Sequence, residues 1–121
     1  MKMKCLDTYA LVEVHNGNPK FAGFLTEEVV VPDIIMAEFY AHIYSKYDLK
    51  TADYWRRKLS FLCKPVSLDI LLQAVRFRID NKEKDFSFFD CVGYVFAIEN
   101  NMKFVTGDGG FRQMKGVEFL K

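Results

Sequence analysis

Glu28-Val29-Val30-Val31-Pro32-Asp33 is the stretch that decides the fold. Three consecutive β-branched residues without polar alternation suit a strand buried on both faces, as in a parallel sheet covered by helices on each side. Pro32 closes the strand, and Asp33 stands where it can cap a helix reaching from about 34 to 47. The same strand-then-helix unit recurs outward in both directions. Upstream, Met3 to Leu6 reads as a first strand ending at Asp7. Thr8 is placed to cap a helix to His15, which Asn16-Gly17-Asn18-Pro19 stops with turn residues. Downstream, a helix is predicted over 52–62, where Trp55, Leu59 and Leu62 recur at helical spacing. A short strand follows over 65–68, then a helix capped by Asp69 that carries Ile70, Leu71, Ala74, Val75 and Ile79. Lys82-Glu83-Lys84-Asp85 reads as a solvated loop, and Ser87 opens a strongly apolar helix from Phe89 to about Ile98. Lys103 to Thr106 is a strand, Gly107-Asp108-Gly109-Gly110 a turn, and 117–120 a last strand. Strands separated by helices predict a three-layer α/β/α sandwich around a central, mostly parallel sheet.

The chain has 121 residues, half of them hydrophobic, which fits one domain spanning 1–121 with a core that needs no staples. High hydrophobicity with a net charge of +1 excludes disorder as the main state. It also argues against bulk, non-specific nucleic-acid binding, while leaving room for a local basic patch. Cys5, Cys63 and Cys91 are odd in number and widely spaced, neither a disulfide framework nor a CxxC zinc pattern. Buried free thiols and a reducing cytoplasm are expected. No apolar run approaches the ~20 residues of a membrane span. The lysine-bearing start meets Asp7 before an apolar stretch develops, so it does not read as a signal peptide.

Four carboxylates stand out, each with a local explanation. Asp7 lies between a strand and a helix, where it can cap. Ser87-x-x-Asp90 resembles a capping box. Asp108 sits in a Gly-rich turn, where Asp is common. Glu38 lies inside Ile34-Ile35-Met36-Ala37-Glu38-Phe39-Tyr40-Ala41, and Asp90 in a helix apolar on every face. Neither has a Lys or Arg within a helical turn. Unpaired acids in such surroundings neutralise or hold a cation. In a parallel sheet the strand C-termini and the following helix N-termini share one edge, where ligands bind. All four acids fall near that edge. Like charges gathered there ask for a divalent ion, and all-oxygen ligands select Mg²⁺ or Mn²⁺ over zinc.

Leu6-Asp7-Thr8, Glu38 after the Val-rich strand, Ser87-Phe88-Phe89-Asp90, and Val105-Thr106-Gly107-Asp108-Gly109-Gly110-Phe111 together resemble the PIN-domain nucleases. The compact single domain is most similar to the VapC-type toxins of prokaryotic toxin–antitoxin pairs. The resemblance runs along essentially the whole chain, in order. It implies a metal-dependent endoribonuclease that cuts cellular RNA unless an antitoxin covers the site, with homodimers and a groove for an antitoxin helix. Asp7, Glu38, Asp90 and Asp108 fall on the family's acidic positions, as catalytic residues and ligands of Mg²⁺ or Mn²⁺. Thr8, Ser87 and Thr106 fall on its hydroxyl positions, which orient the acids. Gly110 stands where the family often has another acid, so the resemblance bears on a first metal position more than on a second.

Arg56-Arg57-Lys58 ordinarily marks a solvated helix face. In a nuclease, Arg56, Arg57 and Arg112 are candidates to contact RNA phosphates, with Lys64, Arg76 and Arg78 behind them. His15 reads as helix-end decoration, and His42 lies one turn after Glu38. Tyr40, Tyr44, Tyr47, Tyr54 and Trp55 exceed what one small core absorbs, which points to an interface. Two other classes compete. One is a non-catalytic PIN-like RNA- or protein-binding module. The other is a phosphohydrolase with an aspartyl nucleophile, which lacks its second Asp here because Thr8-Tyr9 follows Asp7.

Overall fold

Val29, Val30 and Val31 are all buried, and they belong to the second of five strands. The computed structural model describes residues 3–121; Met1 and Lys2, where the leader reading begins, lie outside the described residues. The strands are β1 (Lys4–Leu6), β2 (Val29–Pro32), β3 (Cys63–Lys64), β4 (Lys103–Thr106) and β5 (Val117–Phe119). They form one sheet in the order β3-β2-β1-β4-β5, and every pairing is parallel. The helices are α1 (Thr8–His15), α2 (Asp33–Lys46), α3 (Leu49–Leu59), α4 (Leu68–Asp80) and α5 (Phe88–Glu99).

Alternation along the strands builds the two apolar layers. Leu6, Val29, Val31 and Val105 join a core with residues of α1, α2 and α3. Cys5, Val30 and Phe104 point the other way, into a core with residues of α4 and α5. The three central strands, β1, β2 and β4, therefore present apolar side chains to both faces, as the valine run requires. The three-layer α/β/α architecture is the one expected, with a sheet that is wholly parallel.

Several local expectations are corrected. Asp7, not Thr8, caps α1, because its extended backbone leaves the carboxylate over the first turn. Asp33 makes no cap bond; Pro32 holds the cap position and Asp33 opens the helix, where its charge favours the dipole. The segment 65–68 is not a strand. The pairing falls on Cys63–Lys64, just before Pro65, whose missing N–H cannot extend a ladder. Ser67, not Asp69, caps α4, and α3 begins at Leu49 under an Asp48 cap.

The topology brings the ends of β1, β2 and β4 and the N-termini of α1 and α2 to one sheet edge. The register Val31↔Cys63 and Pro32↔Lys64 places β3 beside the C-terminal end of β2, so the segment leaving α3 arrives at that edge too.

Candidate active site

Asp7 follows β1 directly and caps α1 by accepting the Ala10 N–H at 3.0 Å. It is 2 % exposed, a rare place for a carboxylate without a cationic partner. Burial pushes its carboxyl up to about 7, and the charges of Asp90 and Glu38 push the same way. Contact with the Thr106 side chain and the Ala10 N–H offsets part of this rise.

Glu38 lies in the second turn of α2, half-buried, and the Thr8 hydroxyl donates to its Oε1. Burial raises its pKa, the Thr8 contact lowers it, and Asp90 raises it further. Asp90 is the third residue of α5. The Ser87 N–H donates to its Oδ2 at 3.1 Å, and its own N–H donates to Ser87 Oγ at 3.1 Å, a complete capping box. Burial again raises the carboxyl, the Ser87 bonds offset it, and the Asp108 charge adds to it. Asp108 follows β4. Its N–H donates to Thr106 Oγ1 at 3.1 Å, and its Oδ1 accepts the Gly110 N–H at 2.9 Å.

The local and collective explanations hold together. Each acid has a hydrogen-bond partner close at hand: Ala10 for Asp7, Thr8 for Glu38, Ser87 for Asp90 and Gly110 for Asp108. Electrostatically they form a chain, with Glu38 and Asp90 acting on Asp7, and Asp108 acting on Asp90. Among the described residues the ion pairs are those of Lys4 with Glu27 and Glu118, so none of the four acids is paired.

Among the described residues, no three His, Cys, Asp or Glu side chains stand together as a ready ligand group. The four acids act on one another in neighbouring pairs, and every donor atom they offer is an oxygen. That arrangement does not suit zinc, which takes a closed nitrogen and sulfur set. It suits Mg²⁺, which keeps several waters and binds through one or two carboxylates plus substrate phosphate oxygens.

The family model described as PIN domain matches residues 4–117. The chain belongs to the PIN domain family. Solved structures share its fold. A toxin–antitoxin complex from Klebsiella pneumoniae matches with TM-score 0.77 and 20% identity, over 95% of each chain. VapC20 of Mycobacterium tuberculosis, a toxin that cleaves the sarcin–ricin loop, matches with TM-score 0.78 and 16% identity, over 98% of this chain and 99% of its own. VapBC2 from Rickettsia felis, bound to a promoter DNA fragment, matches with TM-score 0.78 and 18% identity over the same shares. A search of curated proteins finds no match.

Gly110 stands where a side chain has little room. A Cβ at that position would lie 2.6 Å from the Phe86 ring and 3.4 Å from Asp108 Oδ1. Phe86 is itself stacked on Phe111 at 3.9 Å between ring centroids, so it has little room to yield. The space that an acidic side chain at 110 would need is filled by the aromatic core.

The basic candidates separate. Arg56 and Arg57 are exposed on α3, and Arg56 lines a groove of about 590 Å³ between α2 and α3 with Asp33, Tyr40 and Asp53. Arg112 is exposed just beyond Asp108, with its guanidinium 4.5 Å from the centre of the Phe119 ring. Arg78 donates to the Phe86 carbonyl at 3.0 Å and so holds the loop before α5. His15 is not decoration. Its ring packs among Phe39, Tyr47 and Trp55, with centroids 6.5, 5.4 and 5.0 Å away. The Thr8–Glu38 contact ties α1 to α2 across the site, a link that only the third dimension reveals.

Proposed function

We propose that this PIN domain is a Mg²⁺- or Mn²⁺-dependent endoribonuclease, the toxin of a toxin–antitoxin pair. The observation that carries the reading is the chain of four unpaired, mutually acting carboxylates at the strand-end edge, with Asp7 almost wholly buried. Asp7, Glu38, Asp90 and Asp108 would hold the ion. A bound divalent ion supplies positive charge beside the scissile phosphate and acidifies bound water for attack. The protein's own part is positioning. Thr8 orients Glu38, Ser87 orients Asp90, and Thr106 touches both Asp7 and the Asp108 backbone. A second copy of this chain fits the exposed apolar stripe of α4, where Leu68, Leu72, Val75 and Ile79 recur at helical spacing. An antitoxin segment fits the groove between α2 and α3. No described helix is long and apolar enough to cross a membrane, and three free cysteines suit a reducing cytoplasm.

The lack of a ready three-residue ligand group among the described residues favours a second reading, a non-catalytic PIN-like RNA- or protein-binding module. Incubating the purified protein with RNA in Mg²⁺, in Mn²⁺ and in EDTA separates the two. Cleavage that a chelator abolishes supports the nuclease. Cleavage that persists unchanged in EDTA would sink the metal dependence, and binding without cleavage in either ion favours the module. Expression without a partner should slow growth, and Asp90→Asn should relieve it.

A further inference from the structure

The solvent face of α3 carries a stripe that the core does not explain. Lys50, Tyr54, Arg57 and Phe61 recur at helical spacing along α3 and the short turn after it, and all four are exposed. Ala52, Leu59 and Leu62 take the opposite face and are buried. Tyr54 is 51% exposed, with its ring edge-on to Trp55 at 5.7 Å between centroids, and Phe61 is 70% exposed, so both rings keep a face open to solvent. Lys58 flanks the stripe, its Nζ 5.8 Å from the Tyr54 ring centre and 5.0 Å from that of Trp55. Cations and rings thus form one continuous surface.

Charge is concentrated here. Residues 46–64 hold six cations, Lys46, Lys50, Arg56, Arg57, Lys58 and Lys64, against two acids, Asp48 and Asp53. This is an excess of four in a chain whose net charge is +1, so the rest of the molecule is net negative. Of these cations Lys50, Arg57 and Lys58 belong to the solvent face of α3, while Arg56 lines the groove beside α2, so the positive charge that draws a polyanion lies on and around this helix.

The stripe also leads somewhere. α3 begins beyond the far end of α2 and hands the chain to β3, which pairs with the C-terminal end of β2. Its 11 residues span about 16 Å, ending at the edge that carries the acids.

We propose that this face of α3 is a docking track for single-stranded RNA that guides the strand toward the carboxylate edge. Lys50, Arg57 and Lys58 meet phosphates, and Tyr54 and Phe61 stack on unpaired bases. The assignment deepens the ribonuclease reading and rests on RNA being the ligand. Interleaved cations and exposed rings are what a sequence-tolerant single-strand surface requires. A duplex keeps its bases stacked, so it would engage the cations but not the rings.

Fluorescence anisotropy tests this with the full chain in EDTA, where binding is read without cleavage. The probe is an unstructured labelled RNA of about 12 nucleotides, beside a duplex of the same length. Tyr54→Ala with Phe61→Ala should weaken the single strand at least about 10-fold and leave the duplex unchanged. Arg57→Ala with Lys58→Ala should weaken both and lower the salt slope for the single strand by about 1.4. Should the first double variant melt early, Phe61→Ala alone carries the test, because its ring is the most exposed. Wild-type affinity in both ring and charge variants overturns the proposal. So does a change in oligomeric state, seen by size exclusion, that accounts for any loss; the face is then a contact between copies. RNA that binds through α3 but is never cut in Mg²⁺ leaves the track standing and defeats the nuclease. RNA cut normally by all variants, with unchanged affinity, does the reverse.

Discussion

Asp7 and Asp90 occupy matching places, each at the start of a helix on the same sheet edge, yet they are held differently. Asp7 is itself the cap of α1, accepts one N–H from Ala10, and is 2 % exposed. Asp90 sits inside its helix as the acidic half of a capping box with Ser87, and it is only partly buried. Burial raises both carboxyls, but Asp7 reaches about 7, and it also feels Asp90 and Glu38. Burial, with a smaller addition from the neighbouring acids, makes an ionised Asp7 the costliest of the set. Asp90 is satisfied locally and would sit where it does without an ion, whereas Asp7 is the residue that a cation would relieve.

The largest expected effect tests whether the difference matters for chemistry. Asp7→Asn and Asp90→Asn should each lower kcat/KM for RNA by about 100-fold or more, because both acids would serve one ion. Matched single-turnover and steady-state assays check this. Loss at only one of the two positions would break the proposed set in half.

The pH dependence of the metal-free protein comes next. An acid whose folded pKa is raised keeps its proton in the native state after the unfolded chain has lost it, so stability falls as pH rises between the two values. For Asp7 the window runs from 3.8 to about 7. The loss attributable to this group is on the order of 4 kcal/mol, complete above the upper value. Asp7→Asn should lose most of that slope, matching wild type near the bottom of the window and exceeding it at the top. Asparagine keeps a cap acceptor, so the helix start is not the cause. Denaturant titrations across the window measure it.

Gly110→Asp should cost about 1–3 kcal/mol by driving a side chain into the Phe86–Phe111 stack. It should add nothing to Mg²⁺ affinity, which calorimetric titration would show. The smallest expected effect is at Asp90. Relief of repulsion and a weakened capping box oppose each other in Asp90→Asn, so the metal-free protein should change by less than about 1 kcal/mol. Ser87→Ala, which loses the box without touching charge, should cost about 1 kcal/mol. A large gain from Asp90→Asn would erase the contrast with Asp7.

How far the sequence announces all this depends on the range of the interactions. Lys103–Thr106 and the Ser87–Asp90 box were legible because short-range rules decide them: a β-rich run between turn residues, and two side chains three positions apart. The pairwise nearness of Asp7 to Glu38 and Asp90, and of Asp90 to Asp108, follows from a parallel sheet that delivers its strand ends to one edge. The two-residue β3 was not legible, since so short an edge strand carries no period and Pro65-Val66 beside it looks more extended. Thr8 and Asp7 both suit a cap by residue type, and only backbone geometry decides for Asp7. The aromatic surroundings of His15, the Phe86 ring against Gly110 and the Thr8–Glu38 contact all rest on contacts distant in sequence. No local pattern encodes them.

If the four acids act as one cation-binding unit, as proposed, Asp7 is the member that the ion relieves most. Thermal melts of wild type and Asp7→Asn above neutral pH, in EDTA and in rising Mg²⁺, test it most directly. In EDTA the variant should melt above wild type. At an Mg²⁺ concentration about 100 times the dissociation constant, wild type should gain about 2.7 kcal/mol, a midpoint rise of roughly 10 °C, and the variant much less. Equal rises in the two proteins, or none in either, would contradict the account.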